Sequence, residues 1–192
     1  MKKIVFASRN EGKIKEVKSI LKGYEILSLK DVGFNDEIEE TGATFAENSY
    51  IKAKAVFDFC RLPSLADDSG LCVKALNGAP GVYSARYAGE PSSDERNRKL
   101  LLENMKDVTE RDAAFFTAIT FIDENGKVTK TSGTTEGHVL YEETGSNGFG
   151  YDSLFFSNDL KKSFGLATEE EKDAVSHRAR ALKKLSEIIE SK

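Results

Sequence analysis

The chain holds 192 residues, with 28 Lys plus Arg against 32 Asp plus Glu, 39% apolar residues and a formal charge of −4. That size suits a single domain over 1–192, large enough to bury roughly 70% of its unfolded surface without disulfide staples. No apolar run reaches the about 20 residues that a bilayer span needs. The opening Lys2-Lys3-Ile4-Val5-Phe6 turns polar by Ser8, too soon for a signal peptide. The negative charge gives no long-range pull toward a nucleic-acid polymer. The expectation is a cytoplasmic protein with neither a membrane nor a nucleic-acid partner.

Lys3 to Ala7 reads as a buried first strand, followed by a loop and a helix in which Ile14, Val17, Ile20 and Leu21 recur at helical spacing. Asn10 is the candidate N-cap and Gly23 the stop, after which Tyr24 to Leu29 suits a second strand. Phe45 to Phe59 reads as a long helix whose inner stripe is Phe45, Ile51, Ala55, Val56 and Phe59, broken by Pro63. Asp67-Asp68-Ser69-Gly70 reads as a joint before a strand over Leu71 to Leu76. Ser92-Ser93-Asp94-Glu95 opens the helix carrying Leu100 to Met105. Ala113 to Ile122 is β-prone, and Asn125-Gly126 marks a hairpin before Lys127 to Ser132. Thr168-Glu169-Glu170-Glu171 is a capping-box pattern, and the last helix sets Ala179, Leu182, Leu185, Ile188 and Ile189 on one face. The fold class is α/β, a mixed sheet with flanking helices. Cys60 and Cys72 lack CxxC spacing and read as reduced, buried thiols without chemistry.

Four polar clusters sit at joints between these elements, where binding residues concentrate. Ser8-Arg9-Asn10-Glu11-Gly12-Lys13 opens a helix, offers free backbone N–H groups to an anion, and places Lys13 near a phosphate. It is not a Walker A loop, and Asn10 as a plain helix cap explains much of it. Asp67-Asp68-Ser69-Gly70 suits either a solvated turn or a metal or catalytic site, since adjacent carboxylates need water, a donor or a cation. Glu37-Ile38-Glu39-Glu40-Thr41-Gly42 suits a solvated face. If it faces Asp68, it makes a hard-oxygen site for Mg²⁺, with Lys52 and Lys54 adding positive charge. The fourth cluster joins Ser146-Asn147-Gly148-Phe149-Gly150-Tyr151-Asp152 to Ser176-His177-Arg178. Its glycines allow close backbone approach and leave Phe149 either in the core or free to stack. His138 reads as structural.

In chain order, the segments SRNEGK, EETGATFAENSYIKAKA, LADDSGLCVKALNGAPGVYSARYAG, GSNGFGYDSLFF and EEKDAVSHRARAL run from Ser8 to Leu182. Together they resemble the inosine/xanthosine triphosphate pyrophosphatase family, which removes aberrant purine nucleotides. The first fits its S/T-x-N-x-x-K motif. The resemblance implies two lobes around a mixed sheet with a nucleotide-binding cleft, a homodimer, and dependence on one or more Mg²⁺ ions. The implied reaction turns ITP, dITP or XTP plus water into the monophosphate and pyrophosphate.

By the same resemblance, Ser8, Asn10 and Lys13 meet the triphosphate with Lys52 nearby, and Arg9, Glu11 and Gly12 share that loop. Asp68 is the implied general base and a metal ligand, with Glu39 or Glu40 contributing to the metal. Ser69, Phe149, Gly150, Tyr151, Asp152, Lys172, His177 and Arg178 line the implied nucleoside site. The chemistry is coherent: cleavage of a polyanion calls for a metal and for cations such as Lys13, Lys52 and Lys172. Hypoxanthine and xanthine present a 6-oxo acceptor where adenine presents a donor. Donors such as His177 and Arg178 would therefore discriminate by up to roughly 10⁴-fold. The rival readings are a non-catalytic nucleotide-binding module, which has little need of Asp68, and a related pyrophosphatase acting on pyrimidine or methylated nucleotides.

Overall fold

The structure, a computed structural model, describes residues 2–190. Its strands are β1 (Lys2–Phe6), β2 (Tyr24–Leu27), β3 (Ser64–Val73), β4 (Asp112–Ile122), β5 (Val128–Val139), β6 (Phe155–Ser157) and β7 (Lys162–Ser163). The helices are α1 (Glu11–Ile20), α2 (Phe45–Cys60), α3 (Asp94–Asn104), α4 (Glu169–Val175) and α5 (His177–Glu190). The strands form one seven-stranded sheet in the order β2-β1-β3-β4-β5-β6-β7. β1 pairs in parallel with β2 and β3, while β5, β6 and β7 pair antiparallel, so the sheet is mixed as expected. None of the described helices is long and apolar enough to cross a membrane.

The residues cluster into two compact units. The first comprises 2–68, Thr117–Gly133 and 178–190, and the second Ser69–Phe116 and Thr134–His177. In the first, strand alternation sorts the core into two sets. Ile4, Phe6 and Leu65 pack with Ile14 and Val17 of α1 and with Ala181, Leu182 and Leu185 of α5. Val5, Ala7 and Ala66 pack instead with Ala53 and Val56 of α2. Both faces are therefore covered, which explains why Ile4, Val5 and Phe6 are apolar in succession rather than in alternation. In the second unit, Leu71 and Val73 join Leu101 and Met105 of α3 and the aromatic group Phe115, Phe155 and Phe164.

Two expectations need correction. Asp67 to Gly70 is no joint: β3 runs unbroken from Ser64 through Val73, and Lys74–Leu76, expected as strand, is a 3₁₀ turn. The inner stripe of α2 is also largely polar, since its buried residues are Asn48, Ser49, Lys52, Ala53 and Val56, while Phe59 is 53% exposed. β6 and β7, three and two residues long, were too short to expect from pattern. The cysteines are free thiols, each half-buried.

The N-terminus of α2 is fixed by a complete capping box: Thr44 Oγ1 accepts from Glu47 N, and Glu47 Oε2 accepts from Thr44 N. Because Thr44 is exposed, Thr44→Ala tests the cap without disturbing the core. It lowers unfolding free energy by about 1 kcal/mol, read as a shift of the urea midpoint with an unchanged slope.

Candidate functional site

The adjacent carboxylates of β3 do not face each other. Successive strand residues point to opposite faces, so Asp67 lies on the side of Leu65, toward α1 and α5, and Asp68 on the side of Ala66, toward α2. Asp67, 2% exposed, receives Lys13 Nζ at 3.1 Å and the Nε and Nη2 groups of Arg178 at 3.1 and 2.9 Å. Arg178 also pairs through Nη1 with Glu16. Burial alone would raise the Asp67 carboxyl, but Lys13, Arg178 and Lys52 outweigh it and hold the group far below the usual carboxylate range. Burial pushes the Lys13 ammonium down against the pull of Asp67, while Asp67 and Glu16 outweigh burial at Arg178 and hold its guanidinium above its ordinary value.

On the other face, Asp68 Oδ2 accepts from Asn48 Nδ2 at 3.1 Å, and Lys52 Nζ lies 3.8 Å from Oδ1. The same ammonium reaches Glu40 at 3.1 Å. Asn48 and Lys52 are neighbours on one face of α2 at i, i+4 spacing. Asn48 Oδ1 also accepts from Gly42 N at 2.8 Å, which ties the acidic segment to the helix. Burial is the largest influence on the Asp68 carboxyl and pushes it up, Lys52 opposes that, and the charge of Glu40 adds to it; the result is about 6.

Of the expected metal ligands, Glu40 and Asp68 share Lys52, whereas Glu39 is exposed and makes no such contact with it. Among the described residues no group of three or more His, Cys, Asp and Glu is gathered as a metal site. Two carboxylates nonetheless fit Mg²⁺, which commonly takes one or two protein carboxylates and fills its remaining positions with water and phosphate oxygens.

The loop before α1 has its own order. Asn10 Oδ1 caps the helix by accepting from Lys13 N at 3.0 Å, and Ser8 Oγ accepts from Asn10 N at 3.2 Å. Arg9 donates to the Asp36 carbonyl at 3.0 Å, Glu11 is exposed in the first helical turn, and Gly12 follows it.

In the second unit, Phe149 is half-buried between Gly148 and Gly150, and its ring lies 4.5 Å from Lys172 Nζ. Asp152 Oδ2 accepts from Phe149 N at 3.0 Å and from Lys172 Nζ at 2.6 Å. Gly148 has φ +77°, and a Cβ there would collide with the Asp152 carboxylate, so this turn requires glycine. Lys172 is thus engaged at the aromatic loop. His177 is buried with its ring stacked 4.9 Å from Phe115. Tyr151, expected at the nucleoside, is a core residue whose hydroxyl donates to the Ser84 carbonyl at 2.7 Å. Ser69 is half-buried in β3, and His138, read as structural, stacks on Phe156 at 4.6 Å.

Sequence reasoning passed over Asn48 and Glu16 and gave Asp67 no role of its own. The i, i+4 spacing of Asn48 and Lys52 was a usable signal; nothing local marked Glu16 as the second partner of Arg178.

A profile of the Ham1 family matches residues 4–188. A dITP/XTP pyrophosphatase of Bacillus licheniformis is 45% identical over 194 residues, covering 99% of each chain. Its counterpart from Bacillus subtilis is 45% identical over 195 residues, covering 100% of this chain and 98% of the other. The solved structure of the Staphylococcus aureus Ham1 protein matches with a TM-score of 0.89 at 39% identity, over 99% of both chains.

The electrostatics of Asp68 carry a pH prediction. Its folded midpoint lies above the unfolded value of about 4, so its proton stabilises the fold below that pH and the contribution is lost as pH rises through about 6. Carboxyl NMR of the metal-free protein should find that midpoint near 6. Glu40→Gln should move it down and Lys52→Met up; opposite shifts would contradict the charge balance.

Proposed function

The chain belongs to the Ham1 family, and from that footing we propose that it hydrolyses non-canonical purine nucleoside triphosphates, ITP, dITP and XTP, to the monophosphate and pyrophosphate with Mg²⁺. The observation that carries this reading is Asp68: a buried carboxyl, steered by Asn48 and Lys52, poised at about 6 next to a second carboxylate. A base with that midpoint is mostly ionised at neutral pH yet accepts a proton more readily than an ordinary aspartate. It takes a proton from water as the water oxygen bonds to the α-phosphorus and the bond to the bridging oxygen breaks, releasing pyrophosphate.

Glu40 and Asp68 would hold the Mg²⁺, which supplies charge neutralisation for the phosphates. Lys52 is positioned by both carboxylates and is available to the phosphate oxygens once a cation takes its place with them. Lys13 and the N-terminus of α1 favour the remaining phosphate charge. In the second unit, Phe149 offers a ring to the base, held by Asp152 and Lys172. A donor at His177 would match the 6-oxo group of hypoxanthine and xanthine and leave adenine with an unpaired contact, whereas Arg178, expected beside it, is committed to Asp67 and Glu16. In this reading the enzyme is a cytoplasmic homodimer with no nucleic-acid polymer as partner.

Incubation of ITP, dITP, XTP, GTP and ATP with Mg²⁺ or EDTA tests the reaction. Monophosphate and pyrophosphate from the first three, lost in EDTA, is the expected result; orthophosphate would place the cut at the terminal phosphate and refute it. Asp68→Asn should abolish turnover while ITP still binds, and normal turnover would remove Asp68 from the role of base. Phe149→Ala should weaken ITP binding by roughly ten- to a hundredfold, the range set by base stacking on an aromatic ring. Binding of tripolyphosphate, which has no base, should not change.

A further inference from the structure

The turn that presents Phe149 is held from a second direction by α3. Gly148 and Gly150, on either side of Phe149, both adopt positive φ, +77° and +60°. Glycines there leave the intervening residue with backbone freedom that any other residue would restrict. Asp152 fixes the Phe149 N–H, but it leaves Gly150 to other partners. Both polar backbone groups of Gly150 are taken by α3: its N–H donates to Asp94 Oδ2 at 2.9 Å, and its carbonyl accepts from Arg98 Nη1 at 2.9 Å.

Arg98 is itself oriented. Its Nε donates to Glu143 Oε1 at 3.0 Å, and Glu143 Oε2 accepts from Ser153 Oγ at 3.1 Å, so the guanidinium is held at two points along the same loop. Its side chain is 20% exposed, which limits screening by water. The helix below is firm: Leu101 is fully buried, and buried Asn97 donates to the Ala85 carbonyl at 2.9 Å and accepts from Ala88 N at 2.8 Å. Arg98, Glu143, Ser146, Asn147, Phe149 and Ser153 line a cavity of about 170 Å³ at this loop.

We propose that Asp94 and Arg98 are positioning residues that clamp Gly150 and thereby set the Phe149 ring for the purine base. The inference rests on the reading of Phe149 as the stacking residue. Two hydrogen bonds from a packed helix hold the two peptide groups that flank the Gly150 Cα, the first of them the peptide that follows Phe149, and with Asp152 on the preceding side the ring loses its freedom to swing. The clamp acts on the loop that carries Phe149, so it governs capture of the base rather than the bond-breaking step.

The test is a double-mutant cycle read by steady-state kinetics on ITP, with tripolyphosphate binding and melting temperature measured in parallel. Arg98→Ala should raise KM for ITP about tenfold, the loss of one charge-assisted hydrogen bond, with little change in kcat and none in tripolyphosphate affinity. Asp94→Ala, at an exposed position, should act in the same direction by a smaller factor, and it keeps the test open if the arginine variant folds poorly. In a Phe149→Ala background both effects on KM should vanish, because a clamp acting through the ring has nothing left to orient. Undiminished effects in that background would overturn the proposal, as would wild-type KM in both clamp variants when Phe149→Ala alone is impaired. If Phe149→Ala binds ITP normally, the stacking reading itself fails and the clamp with it.

Discussion

A carboxylate withdrawn from water must find a cation or give up its charge, and β3 carries two of them in succession, Asp67 and Asp68. The strand solves this by geometry, turning each to its own face. Asp67 joins Lys13 of α1 and Arg178 of α5, so one buried charge links three elements distant in sequence. Losing one partner of such a group costs about 3–5 kcal/mol, because a buried charge is left uncompensated. Lys13 and Arg178 hold their places in the first unit because Asp67 is ionised between them, and its depressed carboxyl keeps it so across the physiological range.

Asp68 lives under the opposite regime. Its partners are an amide and a lysine shared with Glu40, which satisfy it only in part, and its proton affinity rises accordingly. The same strand thus carries a firmly ionised carboxylate on one face and one with a raised proton affinity on the other. Environment makes the difference, since the side chains are identical and adjacent. The polar stripe of α2 belongs to this division of labour: Asn48 and Lys52 take buried positions on the helix and reach Asp68 from them.

Much of this was legible in the sequence. The strand of Ile4, Val5 and Phe6, the Asn10 cap, the turn at Gly126 and the Leu182 and Leu185 part of the α5 stripe follow from periodicity and turn chemistry that tertiary contacts do not override, whereas Ile188, expected on that stripe, is exposed and Ala181 is in the core. Asp67 to Gly70 misled because Asp, Ser and Gly are turn formers in isolation, while here neighbouring strands satisfy their backbone groups. The stripe of α2 misled for a related reason: reading a helix assumes that its apolar side faces in, and a helix serving a buried carboxylate breaks that assumption. That Lys52 pairs with Glu40 rather than Glu39 is a tertiary contact which a run of adjacent acids does not encode. The grip of Arg98 on Gly150 spans 52 residues, and no local pattern encodes so distant a pairing.

The first unit draws on segments from both ends of the described chain, and that has a bearing on synthesis. As the polypeptide leaves the ribosome, Ile14, Val17 and Leu65 are available early, but Ala181, Leu182 and Leu185, which complete their core, arrive only with α5. Until then this apolar surface is exposed and Asp67 lacks its arginine. The nascent chain therefore carries an unfinished half through most of translation, an interval in which chaperones shield such surfaces. Ribosome stalling or premature termination before α5 would leave that half without its closing helix, whatever the state of the residues already made.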